Sequence, residues 1–209
     1  MAEHPDLTRP EFPRPLALAV DLVAGREPSG DALSPAEWEQ FRRLVISRHR
    51  VAALVQEAAM AGGTVLPPDV ADAVRAEARE TAANALRQKA ESHRLLTALS
   101  VAGCRPAILK GWALGEALYG SAALRHAKDI DIHVPPGEID PCLDVLAQLG
   151  YMLDDDHAAR GPFLASEGFR AEFNDLAFWN PDRGIEVELH WRSQHFHGWP
   201  EPGTLPGAW

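Results

Sequence analysis

The run Lys128-Asp129-Ile130-Asp131-Ile132-His133-Val134 carries two carboxylates at i and i+2 inside a β-branched segment. Side chains alternate across a strand, so Asp129 and Asp131 share one face while Ile130, Ile132 and Val134 take the other. Their Cα atoms then stand about 6.6 Å apart. Two acids converging on one face repel unless a cation lies between them, and a divalent metal held by oxygen ligands is the usual resolution. A second acidic strand is written into Gly184 to Trp191, with Glu186, Glu188 and His190 on one face and Ile185, Val187, Leu189 and Trp191 on the other. Upstream, Lys110-Gly111 marks a strand-to-helix turn. Of three lysines in the chain, Lys110 and Lys128 flank this segment, where a phosphate would need point charges.

These residues need elements to hold them. Ser34-Pro35-Ala36-Glu37 reads as an N-cap, a first-position proline and a capping-box glutamate, and Trp38, Phe41, Leu44, Val45, Ala52 and Val55 recur at helical spacing, predicting a helix to about Met60. A shorter helix is expected near Leu16 to Ala24. Gly62-Gly63 ends the first pattern, and Pro67-Pro68-Asp69 opens a long alanine-rich helix with Val70, Val74, Ala78, Ala82, Ala85, Leu86, Leu96 and Leu99 on its buried stripe. After Gly103 the pattern changes to short strands: Arg105 to Lys110, the acidic strand from Asp129 to Val134, Tyr151 to Leu153, and a hairpin of Glu172 to Trp179 and Gly184 to Trp191 around Asn180-Pro181-Asp182-Arg183. Short helices are expected from Trp112 to Leu118 and from Ile139 to Leu149. The division predicted is an arm and helical region over 1–102, an α+β core over 103–197 and an irregular tail over 198–209.

With 209 residues and 46% hydrophobic content, the chain can bury a sizeable core. No apolar run approaches the ~20 residues that span a bilayer, and the acidic, proline-broken start does not resemble a signal peptide, so a cytoplasmic location without membrane contact is expected. Cys104 and Cys142 are too few for a disulfide framework and lack zinc-site spacing. The formal net charge of −10 argues against nucleic acid as a partner, since phosphate backbones need a basic stripe.

Leu109-Lys110-Gly111-x-Ala113-Leu114, Leu118-Tyr119-Gly120, Arg125, Asp129-Ile130-Asp131, Leu149-Gly150-Tyr151 and Val187-Glu188-Leu189-His190-Trp191 together resemble the bacterial "uncharacterised nucleotidyltransferase" family of the DNA polymerase beta-like superfamily. The resemblance covers roughly residues 35 to 195, including the histidine of Arg48-His49-Arg50-Val51. Members of the family often continue into a helical C-terminal region beyond the point matching Trp209. The resemblance implies a small mixed sheet with a helical N-terminal region, and transfer of a nucleoside monophosphate from a nucleoside triphosphate, ATP first among candidates, to a hydroxyl of a small molecule, peptide or protein. It implies Asp129, Asp131 and Glu188 as catalytic metal ligands for two Mg²⁺ ions, with Mn²⁺ as a substitute, and Lys110, Gly111, Arg125 and Lys128 as the nucleotide-binding set. It departs at one point: the superfamily's Gly-Ser pair is Gly111-Trp112 here.

The residues alone leave alternatives. Glu186 competes with Glu188 for the ligand role. Lys128 is equally a charge partner for the neighbouring acids, and Arg125 a loop brace. His133 and His190 can approach the metal or close a hydrogen bond behind it. Trp112 and Tyr119 can stack a base or pack. A second class of function fits the same residues: a catalytically weak nucleotide-sensing module that binds a partner protein through its helical half.

Overall fold

A computed structural model of the chain describes residues 12–27, 32–154 and 166–192. The first residues of the arm, the loop acids Asp155 and Asp156, His195, His197 and the tail lie outside the described residues. The chain forms two compact units, Met1–Glu80 and Thr81–Trp209. The division falls inside a helix. That helix is one continuous run, and the side chains of its second half belong to the core of the following unit, so composition changes later than packing does.

The first unit is helical: α1 (Arg14–Val23), α2 (Pro35–Arg43), α3 (Ala52–Gly62) and the start of α4 (Pro68–Val101). Its core is Leu22, Phe41, Val45, Val55, Val70 and Val74, closed by small residues such as Ala19, Ala52 and Ala59. The expected capping box is present, with Ser34 N donating to Glu37 Oε2 at 2.8 Å and Glu37 N to Ser34 Oγ at 3.4 Å. The single helix expected as far as Met60 is instead interrupted. A π-helical turn, Leu44–Arg48, follows α2, and Arg50 turns the chain at φ 53° before α3. An unbroken helix would carry the buried stripe from Val45 through positions 48 and 49 to Ala52. Those positions are Arg48 and His49, and the wider turn keeps both exposed, avoiding the burial of unpaired charge.

The second unit contains the rest of α4, then β1 (Ala107–Ile108), α5 (Trp112–Tyr119), β2 (Ile130–His133), α6 (Ile139–Gln148), β3 (Met152–Leu153), α7 (Glu167–Glu172), β4 (Asp175–Asn180) and β5 (Ile185–His190). The strands form one sheet in the order β1-β2-β5-β4-β3. β2 and β5 run parallel and the other neighbours antiparallel. This is the mixed α+β architecture expected. Three details differ from expectation: Asp129 stands just before β2 rather than inside it; α7, placed in a loop from the sequence, is capped by Ser166, whose Oγ accepts from Phe169 N at 3.1 Å; and the strand expected from Glu172 begins at Asp175, with Glu172 ending α7. One face of the sheet buries Ile130, Ile132, Val187, Leu189, Leu176 and Phe178 against Leu95 and Leu99 of α4 and Ile139, Cys142 and Leu146 of α6. Phe169 of α7 stacks on Phe173 and joins Trp191 in this core, and the Trp191 indole donates to Arg170 O at 3.1 Å. The burial alternation of β5 follows its sequence alternation residue by residue. With one face committed to the core, the acids occupy the other.

Candidate active site

Parallel pairing of β2 with β5 assembles the site. Its register sets Asp131 opposite Glu188 and His133 opposite His190. On the other side of β5, Ala177 faces Glu188 and Asp175 faces His190, so a methyl group is all that β4 sets beside Glu188. β1 delivers Lys110: Leu109 N donates to Asp131 O at 3.1 Å, and the next residue reaches across to the acids.

Asp131 is the buried centre, only 1% exposed. Its Oδ1 accepts from Lys110 Nζ at 2.8 Å and lies 3.1 Å from His190 Nε2. The same Nε2 is 3.2 Å from Glu188 Oε2, and Lys110 Nζ is 4.0 Å from that oxygen. Asp131 Oδ2 is buried and accepts no hydrogen bond from the described residues. A buried oxygen left in that state costs about 1–3 kcal/mol, an incentive for a cation to sit there. Two overlapping donor groups result, Asp131–Glu188–His190 and Asp129–Glu186–Glu188, each with its ligand atoms within 4.8 Å of one another.

Charge accounts for how these groups titrate. Burial raises the Asp129 carboxyl above its usual range, and the negative Asp131 and Glu188 push it the same way. Burial acts upward on Asp131 too, but hydrogen bonds and positive charge from His190 and Lys110 outweigh it and hold that carboxyl low. For His190, burial opposes the charged ring, and the bonds to Asp131 and Glu188 overcome it, lifting the imidazole to about 9. Lys110 is likewise opposed by burial and raised by Asp131. Four carboxylates thus face two ammonium groups and one imidazolium, a cluster that draws on its own side chains for cations.

The glycine turn is built from α4. Gly111 caps α5 at φ 66°, ψ −136°, a conformation that glycine alone adopts without strain. Its Cα hydrogens face Ala127 and the carbonyl of Asp129. Trp112 donates from Nε1 to Ser92 Oγ at 2.9 Å, with Lys89 over its ring and His93 beside it. The indole therefore packs on α4. Asn84 and Gln88 donate to Ala127 O at 2.9 and 3.3 Å, holding the segment that leads into Asp129.

Of the residues singled out from the sequence, Asp129, Asp131, Glu188 and Lys110 come together, and Gly111 lies against the entrance to β2. Lys128 pairs with Glu186 at 2.8 Å on the exposed rim. Arg125 lies against Gly115 of α5 and makes no ion pair with these acids among the described residues. Glu186 and His190, for which the sequence leaves the role open, join the acids. The alternation of β5, which sets both on the face of Glu188, is the signal that identifies them.

A mixed sheet whose central parallel pair presents acids on one face, next to a glycine turn, is consistent with a nucleotidyltransferase core. The chain belongs to the family described as uncharacterised nucleotidyltransferase, whose model matches residues 34–201. No curated protein and no solved structure matches it. Membership points to nucleotidyl transfer in general, and among the described residues no helix is long and apolar enough to cross a membrane.

Proposed function

We propose that this protein is a metal-dependent nucleotidyltransferase that moves a nucleoside monophosphate from a nucleoside triphosphate, ATP first among candidates, to a hydroxyl of a small molecule, peptide or protein, releasing pyrophosphate. The observation that carries this proposal is the register of β2 on β5, which sets the buried Asp131, with an oxygen unpartnered, beside Glu188. The donor chemistry fits a divalent cation: carboxylates in two groups that share Glu188, with Asp129 and Asp131 entering one each. These residues would hold two ions, Mg²⁺ in the simplest case, and such ions supply charge neutralisation for the triphosphate and a more acidic acceptor hydroxyl.

The chain's own groups do the remaining steps. Lys110, 46% exposed at its side chain, is placed to turn from Asp131 Oδ1 to a triphosphate oxygen, and Asp131 would then hold an ion. The amides after Gly111 meet the phosphates at the start of α5. Lys128 and Arg125 add charge from the rim. Glu188, part-exposed, receives the acceptor's proton.

The test is incubation with Mg²⁺ or Mn²⁺, each α-labelled triphosphate and cell extract, following label transfer and pyrophosphate. Asp131→Asn and Asp129→Asn are each expected to abolish transfer with the circular dichroism spectrum unchanged. Wild-type turnover in either variant refutes the proposal. Trp112 packing on Ser92, where a hydroxyl would serve the triphosphate, favours the second reading of a nucleotide-sensing module. Metal-dependent nucleotide binding without turnover in the wild type would select it.

A further inference from the structure

The two donor groups that share Glu188 differ in kind. Asp129, Glu186 and Glu188 offer oxygen only, whereas Asp131, Glu188 and His190 include a ring nitrogen. We propose that His190 is a metal ligand through Nε2, so that the buried position takes a manganese-class transition ion while the all-oxygen group takes the magnesium that accompanies the triphosphate. This rests on the metal-dependent transfer proposed above and assigns one of its ions a ligand and an identity.

Three observations carry the assignment. First, Nε2 stands 3.1 Å from Asp131 Oδ1 and 3.2 Å from Glu188 Oε2. Donors bound at about 2.1 Å and at right angles around one ion are separated by about 3 Å, so these atoms already have the spacing of a coordination edge. Second, Asp131 is buried and its Oδ2 is unpartnered, so the carboxylate has an acceptor to spare after Lys110 and His190. Third, the His190 ring is only 12% exposed and sits on a central strand opposite His133, with Nε2 turned to both acids. An imidazole added to two carboxylates shifts preference from Mg²⁺ toward Mn²⁺, Fe²⁺, Co²⁺ or Zn²⁺, because nitrogen donors gain little from a hard, tightly hydrated ion.

The full chain, stripped with chelator and repurified, is titrated with Mn²⁺ alone and with Mg²⁺ as competitor, without nucleotide. Pulsed electron paramagnetic resonance of the bound Mn²⁺ is expected to show coupling to an imidazole ¹⁴N. In His190→Gln the coupling should vanish and Mn²⁺ affinity fall at least roughly tenfold, while Mg²⁺ affinity changes by less than about threefold. A purely structural histidine would weaken both ions alike. Mn²⁺ bound in an Asp131-dependent way without ¹⁴N coupling overturns the assignment and leaves nucleotidyl transfer standing. Coupling that persists in His190→Gln overturns it too. Failure of the wild type to bind Mn²⁺ at millimolar concentration also overturns it, and the α-label assay, run separately with Mg²⁺, then decides whether the transfer proposal falls with it.

Discussion

In the ion-free protein, His190 is expected to make the second unit's stability depend on pH near neutrality and above. The imidazole lies between Asp131 and Glu188 and its pKa is lifted from 6.5 to about 9. The folded chain therefore keeps a proton that the unfolded chain releases. The resulting stabilisation is full below pH 6.5 and is lost as pH rises through about 9. At about 1.4 kcal/mol for each pH unit between the two values, it is on the order of 3 kcal/mol. The perturbation is His190→Gln, whose amide can still donate to a carboxylate but carries no charge. Urea unfolding in chelator at pH 6 and pH 10, followed by circular dichroism, should show the wild type more stable than the variant by that margin at the lower pH and nearly equal to it at the higher. An NMR titration of the His190 ring should give its midpoint near 9. A ring titrating near 6.5, or parallel pH curves for the two proteins, would refute the electrostatic account of the site.

Further outcomes can be measured on the same protein. Lys110→Met removes the cation that lies on Asp131 Oδ1, so binary Mn²⁺ affinity by calorimetry should rise several-fold, roughly, while triphosphate affinity falls; weaker metal binding would mean that Lys110 supports the ion rather than competes with it. Gly111→Ala meets no atom closer than 3.8 Å, so its cost is the backbone conformation alone, about 1–3 kcal/mol in denaturant unfolding. Tyr151→Phe removes the 2.8 Å bond from the Tyr151 hydroxyl to the buried Glu91, which keeps Arg183 at 2.9 Å and Arg94. A loss of about 1 kcal/mol is expected, and a loss above 3 kcal/mol would show that the arginines do not satisfy Glu91.

Local chemistry made much of this molecule legible before its fold. The Ser34–Glu37 cap, the glycines at helix ends and the alternation of β2 and β5 are properties of neighbours in the chain, so spacing alone predicts them. Where burial competed with local preference, spacing misled. The helix after Ser34 breaks at Leu44–Arg48 because its periodic stripe would carry Arg48 and His49 inward. The α7 helix is six residues long, too short for a period to show, and is set by Phe169 entering the core and by its Ser166 cap.

From sequence alone, Asp129 and Asp131 share a face with each other, and Glu186, Glu188 and His190 share a face with one another, since a two-residue period requires it. That the two faces are one face is a matter of tertiary structure. Strands β2 and β5 are separated by α6, β3, α7 and β4, and no local rule sets the register that lays Asp131 against Glu188. Lys110 reaching Asp131, Trp112 turning onto Ser92, and Arg125 staying apart from the acids are likewise outcomes of packing. The physical reason is that the ladder is chosen by which pairing buries Ile130, Ile132, Val187 and Leu189 together; the acids are carried into contact on the opposite side by that choice.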